Sequence, residues 1–222
     1  MENNQFRSSQ LTPSAGTLAV SLAERNEIKS MSIIEKYNIE IFTDKTYEVG
    51  SAENTNKYDS EYLEAENKYN STFVGIKIYE NKQLIKSAII GSEGGNSGIS
   101  ENSKIIEKNR ILICCADKIF CLSFPELNLL WKTKADQISC FEIFKKDNFY
   151  IVHGETEISK LDENGMILWQ KGGADIFTTI SRKDDFELNE KYIIATDWEN
   201  RTYKFDYDGN EFTDMKQFPW NK

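Results

Sequence analysis

"ILICCADKIFCLSFPELNLLWKTKADQI" (Ile111–Ile138) and "YIVHGETEISKLDENGMILWQKGGADIF" (Tyr150–Phe177) decide the fold. Laid over one another, Ile111 and Tyr150 stand 39 residues apart. The same spacing separates Ile119 from Ile158, Leu122 from Leu161, and Asp136 from Asp175. Trp131 and Trp169 are 38 apart, the one-residue difference falling in the turn before Trp. Each stretch reads strand, strand, turn, Leu-Leu-Trp or Ile-Leu-Trp, a short spacer, Ala-Asp, strand. A third unit, "YIIATDWENRTYKFDYDGNEF", begins at Tyr192, 42 residues after Tyr150. Its Asp206–Gly209 turn lies 44 beyond Asp162–Gly165. A degraded earlier unit starts at Phe73, with its own hairpin at Glu80-Asn81-Lys82.

Four short strands in roughly 40 residues is the size of a propeller blade. Such a unit exposes an apolar face that only a neighbouring unit can cover, so the units stack. The Trp supplies a large apolar area at a fixed place in each unit. Gly165 and Gly209 suit turn positions that need positive φ. Runs rich in Val, Ile, Tyr and Phe, bounded by Gly, Asn and Asp, predict the strands. Over the first half they are Phe73–Tyr79, Leu84–Ile90, Lys104–Glu107, Ile111–Cys115, Lys118–Ser123, Leu129–Lys134 and Cys140–Phe144. Beyond it they are Tyr150–Gly154, Glu157–Leu161, Met166–Gln170, Ile176–Ile180, Tyr192–Thr196, Thr202–Asp206 and Glu211–Asp214. The expected fold is all-β: a propeller-like or stacked antiparallel meander of about 39-residue, four-stranded repeats.

Upstream, Thr12-Pro13 reads as an N-cap followed by Pro at the first helical position. Ala15, Leu18, Ala19 and Leu22 continue at helical spacing, predicting a short amphipathic helix to about Lys29. The organisation expected is a 1–30 extension with this helix, a 31–70 strand and polar linker segment, and a 71–222 β-repeat domain. Residues 44–70 read as a long loop with helical content around Ser60–Asn67.

The chain has 222 residues and a net charge of −9. Nucleic acid needs clustered Lys and Arg, so it is not an expected partner. An acidic surface suits a basic protein partner, because complementary fields speed association. No apolar run reaches the length of a membrane span, and no secretory signal is read at the N-terminus. Four cysteines, Cys114, Cys115, Cys121 and Cys140, make no disulfide scaffold, and a reducing cytoplasm is the expected compartment. Cys114 and Cys115 are adjacent in a strand and point to opposite faces, so they read as buried small hydrophobes rather than metal ligands.

Three stretches carry residue types associated with chemistry. "IIGSEGGNSGIS" (Ile89–Ser100) is Gly-rich, but no Lys follows and strands rather than a helix surround it, so it is no phosphate loop. It reads as a turn or partner-contact loop, with the amides of Gly94 and Gly95 able to form a small anion nest. "DYDGNEFTD" (Asp206–Asp214) places Gly too early for a calcium loop and reads as a hairpin turn. The chain's single histidine, His153, aligns with Cys114 at offset 39 and with Ala195 at offset 42, which reads as a packed sheet position. No metal site, cofactor or catalytic residue is expected.

"EISKLDENGMILWQ" (Glu157–Gln170) resembles the PQQ-like, quinoprotein-type propeller repeat through Leu161-Asp162, Gly165 and Trp169. "FCLSFPELNLLW" matches in Leu122 and Trp131, with Pro125 and Glu126 in place of the Asp and Gly turn. "YKFDYDGNEF" keeps Phe205-Asp206 and Gly209 but lacks the Trp. The resemblance covers about residues 110–214. It implies a blade-like fold and not the quinone cofactor, whose users need a full ring of blades and a metal site.

The function expected from these readings is a non-enzymatic protein-binding module, in its specific form an immunity-type inhibitor of a partner toxin, of bacterial type. Binding is expected through Glu93, Gly94, Gly95 and Asn96 of the Gly-rich loop and through Trp198, Arg201 and Tyr203, residue types that anchor interfaces. The competing reading is a small-molecule or carbohydrate-binding domain, or a hydrolase, with a pocket where His153, Glu155, Asp175 and Asp197 converge. A third is a structural subunit with an apolar exposed edge.

Overall fold

The computed structural model describes residues 36–64, 72–179 and 185–212. They form fifteen strands in four sheets, with no helix among them. The helix expected before Lys29 lies outside the described residues. The first sheet holds β1 (Tyr37–Thr43), β2 (Ser60–Tyr62), β3 (Thr72–Glu80) and β4 (Gln83–Ser92), in the order β1-β3-β4-β2. The second runs in chain order through β5 (Lys104–Ile106), β6 (Arg110–Cys115), β7 (Lys118–Ser123) and β8 (Leu129–Lys134). The third does the same through β9 (Cys140–Lys146), β10 (Phe149–Gly154), β11 (Glu157–Asp162) and β12 (Ile167–Gly172). The fourth holds β13 (Phe186–Leu188), β14 (Tyr192–Thr196) and β15 (Thr202–Asp206), and a bridge from Phe205 to Glu211 continues it outward. This is the expected all-β, propeller-like stack.

The apolar runs explain the stacking. Every residue from Ile111 to Cys115 is buried, as in a strand covered on both faces. Alternate side chains then divide between two clusters. Ile111, Ile113 and Cys115 pack with Val74, Ile76 and Ile90 of the first sheet. Leu112 and Cys114 pack with Ile143, Tyr150 and Val152 of the third. A last cluster joins Ile151 and Ile158 to Phe177, Ile193, Ala195 and Phe205. Three apolar layers therefore fill the spaces between four sheets.

Tryptophan sets how one sheet sits on the next. A Cβ built on Gly165 would clash with the Trp131 ring, and one on Gly209 would lie 2.9 Å from Cγ of Trp169. Each ring, from the outer strand of one unit, thus rests on the bare backbone of the next unit's turn. Both glycines have positive φ, 79° and 84°. Asp162 shapes its turn by accepting the amides of Asn164 and Met166, both at 2.8 Å. Asp206 does the same for Asp208 at 2.9 Å and Asn210 at 2.8 Å. The second sheet has Leu127 at the corresponding place, also at positive φ. Among the described residues no tryptophan is stacked there. Instead the Leu127 side chain is buried in the layer shared with the first sheet, and its carbonyl accepts the Tyr62 hydroxyl at 3.0 Å.

Several expectations need correction. Phe149 pairs with Asp162, and Tyr192 pairs with Asp206, so Tyr192 corresponds to Phe149 and not to Tyr150. His153 therefore corresponds to Thr196 rather than Ala195. A one-residue slip exchanges the faces of a strand, and the clusters agree with the corrected register: Tyr150 and Val152, like Ile193 and Ala195, face the preceding sheet. Ile176–Ile180 is not the fourth sheet's first strand. That strand is β13, and Ile176–Thr179 form a connector. Ser60–Tyr62, expected to carry helix, pairs in parallel with β4. The 31–70 segment thus contributes β1 and β2 to the first sheet. Its intervening loop is held by Asp44, which accepts bonds from Thr46, Asn56 and Tyr58.

Gly165→Ala is expected to destabilise the fold by roughly 2–4 kcal/mol, combining a strained φ with overpacking against Trp131. Gly172→Ala, where a Cβ meets only the Thr156 carbonyl at 3.4 Å, is expected to leave the urea midpoint unchanged or slightly raised.

Candidate functional site: a cleft across the repeat ends

At one end of the stack, backbone hydrogen bonds tie each hairpin to the connectors beside it. The Gly95 amide donates to the Ile138 carbonyl at 2.7 Å. The Glu155 amide donates to Ser139 at 2.8 Å, and the Glu155 carbonyl accepts from Phe177 at 2.6 Å. The Trp198 amide donates to Ile176 at 2.9 Å. In the second sheet the Ala116 amide donates to the Ser97 hydroxyl at 3.0 Å, and its carbonyl accepts from Cys140 at 2.6 Å. Ala116, Glu155 and Trp198 hold corresponding hairpin positions in successive units. The backbone frame repeats while the side chain on it changes from small to acidic to aromatic.

Buried carboxylates brace this frame. Asp136 is fully buried, and its Oδ1 accepts the amides of Ile138 and Ser139 at 2.7 and 2.9 Å. Its Oδ2 accepts the amides of Thr156 and Glu157, each at 2.8 Å, and the Thr156 hydroxyl at 3.1 Å. One side chain thus locks a connector to the β10–β11 hairpin. Asp197, also fully buried, accepts the Arg201 amide at 2.9 Å, Arg201 Nε at 2.7 Å and the Tyr203 hydroxyl at 2.9 Å. Burial raises the Asp197 carboxyl, but the Arg201 and Tyr203 bonds outweigh it and hold the group below its usual range.

The ends enclose a cleft of about 680 Å³. The Gly-rich loop lines it with Gly95–Ser100, and the β8–β9 connector with Ile138 and Ser139. Phe141, Glu142, His153 and Glu155 come from the third sheet, and Ile176, Thr178, Asp185 and Trp198 from the segments around the fourth. Trp198 is 43% exposed on a turn that Asp197 and Ile176 fix.

His153 is 2% exposed, and both of its ring nitrogens are engaged. Nδ1 lies 3.0 Å from Glu142 Oε2, and Nε2 lies 2.8 Å from the Phe177 carbonyl. Both partners carry acceptor oxygens. The ring stacks on Phe186 at 4.4 Å and meets Phe141 edge-on. It joins the third sheet to the connector and first strand of the fourth. The hydrogen bond from His153 is the largest influence on Glu142; burial opposes it, the Asn102 amide adds to it, and the carboxyl lies below its usual range.

The structure brings some predicted residues together and separates others. Gly95, Asn96 and Trp198 line the cleft, while Glu93 is exposed on the loop beside it. Gly94 turns the loop at φ 110°. The Gly95 amide expected to bind an anion is bonded to Ile138. Arg201 and Tyr203 support the Trp198 turn through Asp197 rather than lining the cleft. Of the alternative pocket, His153 and Glu155 line the cleft, but Asp175 and Asp197 face Arg201, with Asp175 Oδ2 3.9 Å from its guanidinium. Ile138, Phe141, Glu142 and Ile176 are site residues that sequence reasoning missed. The repeat could have pointed to the two isoleucines, since they occupy corresponding connectors. Among the described residues no cluster of metal-ligating side chains occurs, and no helix is long and apolar enough to cross a membrane.

No protein-family model matches the sequence, and no curated protein matches it. Among solved structures the chain is similar to BamB from Moraxella catarrhalis, at 11% identity and a TM-score of 0.46, over 63% of this chain and 47% of that one. It is similar to the computationally designed Ika8 protein, at 16% identity and a TM-score of 0.45, over 66% and 46% of the two chains. It is similar to the designed Ika4 protein at 15% identity and a TM-score of 0.42, over 56% and 79%. The chain thus spans about half the length of BamB and of Ika8.

The Glu142–His153 pair has a signed pH signature. A carboxyl held below its ordinary value of 4.5 contributes stability above that value and loses it as pH falls through the lower, folded one. The stability advantage of the wild type over Glu142→Gln, read from urea midpoints, is expected to be present at pH 6 and to narrow at pH 3. An advantage that is equal or larger at pH 3 would contradict the pairing.

Proposed function

We propose that this chain is a non-enzymatic protein-binding module whose binding face is the cleft end of the stack. One observation carries the reading: a repeated, hydrogen-bonded frame presents unlike side chains at corresponding positions and ends in an exposed, fixed Trp198. A partly exposed tryptophan on a braced turn loses little freedom on binding, which is the property of an interface anchor. The net charge of −9 favours a basic partner. An immunity-type inhibitor of a basic toxin is the specific form, supported by that charge and by the preorganised face. The PQQ-like assignment is supported by the stacking of Trp131 and Trp169 on the glycine turns of the following units.

The hydrolase or sugar-site reading has less support. His153 has no free ring nitrogen, and two of the four carboxylate and imidazole groups expected to converge point to Arg201 instead.

Tagged wild-type protein and Trp198→Ala, used as paired baits in the native host, test the reading. One stoichiometric basic partner retained by the wild type, with affinity falling more than tenfold in Trp198→Ala, is the expected result. A partner held equally by both baits, or no protein partner, would overturn it.

A further inference from the structure

The cleft has a charge pattern that narrows what can enter it. Glu142, Glu155 and Asp185 line it, and among the described residues no Lys or Arg does. Glu142 is matched by His153 and Asn102. The Glu155 carboxylate receives no donor from the described residues, although its backbone is bonded on both sides and holds the group in place. Around it stand apolar walls, Ile138, Phe141, Ile176 and Trp198. Acidic lining groups, aliphatic and aromatic walls and, among the described residues, no lining cation fit a long side chain with an apolar stem and a positive head.

We propose that the cleft receives an arginine or lysine side chain from an extended segment of the partner, with its cationic head at Glu155 and its stem against Trp198 and Ile138. This inference rests on the protein-binding reading above and names the chemistry that the binding face selects. Trp198 offers a π face to a guanidinium, and Glu155 offers two acceptor oxygens to its fork. The volume exceeds that of one side chain and leaves room for the flanking backbone. An acidic or purely apolar segment would leave Glu155 desolvated and unpaired, which opposes its entry.

The test uses the full chain and two neutral-framed peptides, acetyl-Gly-Ser-Arg-Ser-Gly-amide and its citrulline analogue. Citrulline keeps the shape of arginine and removes the charge. Indole N–H shifts of Trp198 report occupancy, assigned by comparison with Trp198→Phe. The arginine peptide is expected to shift Trp198 saturably and to bind at least tenfold more tightly than the citrulline peptide. Glu155→Gln is expected to abolish that preference while leaving the urea midpoint unchanged, because its frame bonds are made by the backbone. Glu126→Gln, a carboxylate on the remote β7–β8 turn, is expected to leave the preference intact. Equal shifts by both peptides, no saturable shift, or a preference that survives Glu155→Gln would overturn the inference. A native partner that needs Trp198 but not Glu155 would leave the binding face standing and remove the cationic pocket.

Discussion

A tryptophan ring lying on a glycine backbone is the contact on which the rest of the structure depends. Trp131 rests on Gly165 and Trp169 on Gly209, each joining the outer edge of one unit to a turn of the next. The apolar layers between sheets would allow many sliding arrangements, since hydrophobic burial is non-directional. A flat ring against a turn without a Cβ has one good fit. It sets the stagger between neighbouring sheets, and the stagger brings their ends level. Only level ends let one unit's hairpin reach the next connector with backbone hydrogen bonds. At Leu127, where no tryptophan of the described residues is stacked, the turn carries a large side chain and uses it to fill the layer beneath the first sheet.

The candidate site follows from this repetition. The amides of Ala116, Glu155 and Trp198 each donate to a preceding segment, and the carbonyls of Ala116 and Glu155 each accept from the following connector, so the frame recurs from unit to unit. The side chains at those positions carry none of the frame and are free to differ. Asp136 and Asp197 stabilise the scheme from beneath, each buried carboxylate satisfied by amides, hydroxyls or a guanidinium. His153 belongs with these braces. Its ring fills the space between the third and fourth sheets and answers two acceptors, as a packed structural histidine does.

Much of this order was legible in the sequence because strand alternation and the 39-residue spacing report on local pattern alone. The strands from Phe73 to Leu161 were placed to within a residue or two, and the Asp-Gly turns and Trp positions gave the repeat. The misreadings share a cause. The third unit was aligned on matching letters, Tyr150 with Tyr192, whereas hydrogen-bond register puts Phe149 there; one inserted hairpin residue is invisible to letter matching. Ile176 looked like a strand start because it is β-branched among apolar neighbours, yet its carbonyl serves the Trp198 hairpin. Ser60–Tyr62 is polar and pairs only with β4, so no local pattern marks it. Trp198 is read from residue type alone; in the structure it is 43% exposed and lines the cleft. The cleft walls from Ile138, Phe141 and Glu142 arise from the stagger of sheets, which no single stretch encodes.

The central claim is that partners meet the cleft end rather than the outer strands. The outer edge of the third sheet is the competing surface, with Met166 67% and Leu168 52% exposed. Photo-crosslinking in the native host compares the two directly, with benzoylphenylalanine placed at position 198 in one protein and at 168 in another. The account predicts one discrete crosslinked protein from position 198 and none from 168. A discrete product from position 168 alone would contradict it.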